Sequence, residues 1–163
     1  MKWFSKPELL PAHAKNQLLG GEHLLAWSYH QAGILIITDQ GIIDVLESNS
    51  LRYPWNQVLS ATWAEPNLVV NCTAVDGAPF SKTWLLNEPG LVPVAVRDRV
   101  TASLLIDKLI EVDEVGPVRF IAHRSNQGVL WTTITDESVA LHSEPARSRI
   151  AQALANLRST LGV

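Results

Sequence analysis

Across His23 to Thr38 there is no lysine or arginine. A stretch that reads as two successive strands therefore lacks the clustered cations with which proteins hold phosphates and lipid headgroups. Cysteine is almost as scarce. Cys72 stands alone, so no intramolecular disulfide can form and nothing points to an oxidising compartment. It lies in the apolar run Leu68 to Val75, where a buried, inert thiol is the expected state. No apolar run approaches the roughly 20 residues of a membrane span. Pro7, Pro11 and the polar residues His13 to Gln17 interrupt any signal-peptide core near Lys2 and Lys6, so a cytoplasmic location is expected. Also missing are a phosphate-binding glycine loop, a His-Glu-x-x-His pair and a Gly-x-Ser-x-Gly elbow.

What is present is a chain able to bury a core. Hydrophobic residues make up 47% of 163. The net charge of −3 and isoelectric point near 5.9 lack the basic footprint of a duplex nucleic-acid binder, and no nucleic-acid partner is expected. Residues 1 to 90 carry five Lys/Arg against eight Asp/Glu, whereas residues 91 to 163 carry eight against eight. Any basic patch must come from the second half.

A short helix is expected over Pro11 to Leu19, stopped by Gly20-Gly21. Strands are then expected at His23 to His30, Ile34 to Thr38, Ile42 to Glu47, Ser50 to Tyr53, Val58 to Trp63, Leu68 to Ala74 and Lys82 to Leu86. The breaks between them carry turn residues, such as Asp39-Gln40-Gly41, Glu65-Pro66-Asn67 and Asp76-Gly77-Ala78-Pro79. Seven short strands at this spacing make an antiparallel sandwich or open barrel. A helix follows from about Leu91 to Ala102, with Val92, Ala95, Val96 and Val100 on one side. Ser103 to Val112 reads as a strand, although its apolar run also fits a continued helix. Val118 to Arg124 and Val129 to Thr135 are two more strands. The last helix starts at the N-cap Ser143, presents Ile150, Leu154, Leu157 and Leu161 at spacings of three and four, and stops at Gly162.

The order of seven strands followed by a helix resembles the pleckstrin-homology-like fold. The residues that carry the resemblance are Gly21 to Ala26, Ile34 to Val45 with its Thr38-Asp39 turn, and Pro54-Trp55-Asn56-Gln57-Val58, within about residues 20 to 106. The whole chain is also similar to a group of actinobacterial proteins sharing Trp55-x-x-Val58, Arg97-x-Arg99-Val100-Thr101-x-Ser103 and His123-Arg124. That resemblance implies an α+β fold of two nearly orthogonal antiparallel sheets closed by a helix, and no activity. The expected organisation is an N-terminal arm, residues 1 to 20, and a single α+β domain, residues 21 to 163. In that domain a pleckstrin-homology-like part, 21 to 102, shares its core with a β-β-β-α extension, 103 to 163. Phosphoinositide binding does not carry over, because the first two strands lack the cations it needs.

Two groups of residues are candidate sites. Arg97, Arg99, Arg119, His123 and Arg124 form an anionic-ligand patch if they converge; the bland alternative is that each arginine pairs with a nearby carboxylate such as Asp98, Asp107, Glu111 or Asp136. Trp3 and Phe4 are candidate partner contacts in an apolar arm, which is expected to fold back on its own domain or to contribute to a homodimer. Trp55, Trp63, Trp84 and Trp131 are expected in the core. The histidines have no metal-ligand spacing; neither a metal nor a cofactor is expected, and no residue is assigned a catalytic role. The leading expectation is a cytoplasmic, non-catalytic binding or scaffolding module for a protein or peptide. A small anionic ligand or lipid-surface binder comes second, and an enzyme third.

Overall fold

The chain makes α+β structure from three antiparallel sheets and three helices, described by a computed structural model for residues 9–125, 128–136 and 143–162. It divides into two compact units, up to Thr101 and from Ala102.

In the first unit, α1 (Ala12–Lys15) precedes a four-stranded meander, β1 (Leu24–His30), β2 (Gly33–Thr38), β3 (Gly41–Leu46) and β4 (Ser50–Pro54). A single 3₁₀ turn, Trp55–Gln57, then leads into a second meander of β5 (Val58–Ala64), β6 (Asn67–Thr73) and β7 (Pro79–Leu85), followed by α2 (Val92–Ser103). The alternation of strand side chains explains the main core. Leu35, Ile37, Ile42 and Tyr53 of the first sheet meet Val58, Leu68, Val70, Cys72 and Trp84 of the second, with Val92 and Val96 of α2. At the corner, Trp55 is buried and its indole N–H donates to the Thr38 carbonyl at 3.0 Å.

Strands β2 and β3 are buried on both faces, unlike the usual half-solvated antiparallel strand. Ile34, Ile36, Ile43 and Val45 point away from the main core and are covered by Leu10, Ala14 and Leu18, with Trp27 beside them. Leu10, Ala14 and Leu18 of the N-terminal arm thus find cover on its own sheet, while Leu9 stays exposed. Its helix is shorter than the expected Pro11 to Leu19, because polar groups at its end are used elsewhere. Ser50 Oγ donates to Gln17 Oε1, Arg52 donates to the Gln17 carbonyl, and the Leu19 N–H donates to Glu22. Strand β7 begins earlier than the expected Lys82: Pro79 already pairs with Thr73, which a proline tolerates as the first residue of an edge strand.

The second unit is a three-stranded meander, β8 (Leu104–Val112), β9 (Gly116–Ser125) and β10 (Gly128–Thr135), with α3 (Glu144–Leu161). The apolar run after Ser103 is a strand, paired at once with β9. Ser143 accepts the Ala146 N–H, and Gly162 ends α3 in the left-handed region at φ 71°. Ile150 and Leu157 of α3 pack on Val112, Val118 and Phe120. Among the described residues no helix is long and apolar enough to cross a membrane.

Candidate functional site

Strand β1 lies at the edge of the first sheet, paired with β2 on one side. Its regular part is Ala26–His30, since the register shifts between Leu24 and Ala26. Along it runs a cleft of about 730 Å³, lined by β1 itself, by Leu9 and Leu10, and by the segment from Asn87 to Leu91. The two walls are held from opposite faces of the sheet. Leu10 belongs to the outer cluster with Trp27, whereas the Glu88 carbonyl accepts a hydrogen bond of 2.8 Å from Ser28, which is buried beside the main core residue Ala26. The floor between the walls is the strand edge. Exposed apolar side chains stand along it, with Leu9 89%, Leu91 69% and Tyr29 53% accessible, besides Leu24 and Leu25.

A buried carboxylate, Glu22, ties the segment that follows α1 to the first sheet. Glu22 receives the Thr38 hydroxyl at 2.7 Å, the Leu19 N–H at 2.9 Å and the Arg52 guanidinium at 3.2 Å. Burial works against the charge of Glu22, but these donors outweigh it and hold its pKa below the ordinary carboxylate range. A second polar knot lies at the end of the cleft. The Ala32 N–H donates to His30 Nδ1, so His30 Nε2 is the nitrogen free to donate to Asp44, 2.8 Å away; Trp84 donates to the other Asp44 oxygen at 2.8 Å. Asp44 faces the main core because it pairs with Leu35, one residue from the outward Ile43. The nearby Tyr53 hydroxyl is buried without a partner among the described residues, and burial together with the charge of Asp44 pushes its pKa up to about 12. Cys72 is likewise fully buried, and burial raises its thiol to about 11.

The residues singled out from sequence fall in both units. In the first, Arg97 is exposed and lies 3.4 Å from Asp98, and Arg99 is half-buried on the same helix. In the second, Arg119 makes a forked pair with Asp107 at 2.7 and 2.5 Å, while Arg124 is exposed. Carboxylate pairing thus accounts for Arg97 and Arg119. His123 is enclosed, with Ser103 Oγ 3.5 Å from Nδ1 and no partner for Nε2 among the described residues. Burial lowers its pKa against the opposing pull of Asp107. Trp3, Phe4 and His142 lie outside the described residues.

Sequence reasoning missed Glu22, His30 and Asp44. A signal existed for Asp44, a lone charge inside the run Ile42-Ile43-Asp44-Val45, which must find partners when both faces are buried. Among the described residues no three His, Cys, Asp or Glu side chains are grouped as a metal ion requires. No protein-family model, curated protein or solved structure matches the chain.

Proposed function

We propose that this protein is a non-catalytic binding module that takes an extended peptide segment of a partner protein along the edge of β1. The observation that carries the reading is the cleft itself: a strand edge as floor, with an apolar wall on each side. A sheet edge offers main-chain hydrogen bonds to an added strand, and flanking walls select its alternate side chains. Edge strands are commonly guarded by lysine, arginine or proline. At the other edge of this sheet, β4 carries Arg52 and Pro54, whereas β1 has no such residue. The lack of cations from His23 to Thr38 thus leaves an apolar edge open to pairing.

The sequence of four strands, three strands and α2 supports a pleckstrin-homology-like architecture, a superfold many of whose members bind peptides. The single cysteine supports a cytoplasmic setting. Selection from a displayed library of random decapeptides tests the function, using the full chain and its Leu25→Lys and Tyr29→Lys variants. Apolar peptides that bind the native chain, slow hydrogen exchange of β1 amides and lose affinity for both variants are expected. Failure to enrich any peptide, or binding indifferent to both substitutions, overturns the reading.

A further inference from the structure

We infer that the peptide this cleft takes is an alternating one, with large apolar side chains on one face and lysine or arginine on the other, the basic residue opposite Ser28 being held by Glu88. Such a ligand presupposes that the cleft is a peptide site, and adds the chemistry by which the peptide is selected. Successive side chains of a strand point to opposite faces, and a strand added to β1 continues the sheet. Its residues therefore meet the two walls in turn.

The walls are unlike. On the outer face Trp27 and Tyr29 stand edge to face with ring centroids 5.3 Å apart, beside Leu10, so an added strand meets aromatic and aliphatic surface on that side. The inner face carries a charge. Ser28 donates to the Glu88 carbonyl at 2.8 Å, which sets the Glu88 backbone against the middle of Ala26–His30 and leaves Glu88 exposed at the cleft. Leu91 follows in the same wall and offers apolar surface to the stem of a long cationic side chain. Among the described residues the lining holds no lysine or arginine, and His30 is turned inward to Asp44, their side chains 6% and 9% exposed. Residues 9 to 101 carry five Lys/Arg against eight Asp/Glu, so the surrounding field also favours a cation.

The test measures binding of library-selected decapeptides to the native full chain and to its Glu88→Gln and Glu88→Lys variants, at low and moderate salt. Both substitutions keep the main-chain carbonyl that Ser28 holds, so the wall stays in place. Selected peptides are expected to alternate apolar residues with lysine or arginine, to lose about two- to fivefold in affinity for Glu88→Gln, as an exposed ion pair allows, and about tenfold for Glu88→Lys. Salt is expected to weaken binding to the native chain more than to Glu88→Gln. A peptide whose basic residue is replaced by glutamate is expected to prefer the Glu88→Lys chain. Selected peptides without basic residues, or affinity unchanged by both Glu88 substitutions, overturn the charge selection, even where Leu25→Lys and Tyr29→Lys abolish binding and the peptide-site reading stands. A scrambled peptide of the same composition that binds equally well overturns the alternation. Failure to enrich any peptide overturns the receptor reading and the ligand chemistry together.

Discussion

Trp55 shows how one side chain ties local geometry to the core: it follows Pro54 at the corner between the sheets, packs in the main cluster and spends its indole N–H on Thr38. Trp55→Ala leaves a cavity and an unpaired carbonyl, and urea unfolding is expected to show a loss of about 3 to 5 kcal/mol. The buried Glu22 makes a different kind of contribution, because its worth depends on its charge. Its folded pKa is depressed, so the stabilisation is complete above the unfolded value near 4.5 and is lost as pH falls through the folded one. His123 has the same sign, since burial depresses its pKa below 6.5; its part is lost as pH falls from there. Acid unfolding is therefore expected to begin near pH 6.5 and steepen below about 4.5. In Glu22→Gln, stability at pH 7 is expected to fall by about 2 kcal/mol, and the lower step to shrink, in thermal midpoints taken from pH 7 to pH 3. A lower step unchanged in the variant would assign it to other carboxylates.

At the scale of elements, Gly33 and Gly41 open β2 and β3 where the backbones come closest. A Cβ on Gly33 would overlap the Val45 carbonyl oxygen in the paired strand. Backbone cannot move aside as a flexible side chain can, so Gly33→Ala is expected to cost about 2 to 3 kcal/mol in denaturant midpoints. An effect below about 0.5 kcal/mol would mean that the strands separate freely at that end. Most element positions were legible in the sequence because Gly, Pro, Asn and Asp punctuate them, as at Asp39-Gln40-Gly41 and Glu65-Pro66-Asn67. The strand after Ser103 was legible because the turn following Val112 offers its apolar residues a neighbour at once. Two boundaries were not. The end of α1 depends on Arg52, Ser50 and Glu22, which are distant in sequence, and the start of β7 depends on its position at a sheet edge, which no local pattern records.

For the whole molecule, charge placement decides which surfaces can recognise what. Phosphoinositide vesicles are not expected to bind appreciably in sedimentation at low or moderate salt, because β1, β2 and their link carry no cation. Strong, salt-sensitive binding lost when Arg97, Arg99, Arg119 and Arg124 become Gln would favour the anionic-ligand reading. The cleft was not legible in the sequence, since its walls are Leu9-Leu10 and Asn87 to Leu91, nearly eighty residues apart and joined only by folding. The absence of cations was legible, but its bearing on β1 needed the knowledge that β1 is an edge. The two-sided burial of β2 and β3 has a consequence for synthesis. The outer cover, Leu10, Ala14 and Leu18, leaves the ribosome before the sheet it protects, whereas Leu35, Ile37 and Ile42 await Val58 to Val96. Counted from the end of the sheet at Pro54, about forty further residues at about 5 to 20 residues per second leave that inner face bare for about 2 to 8 seconds. On a nascent chain, chaperones that bind exposed apolar strands would find their target there, on the face that is most completely hidden once translation is done.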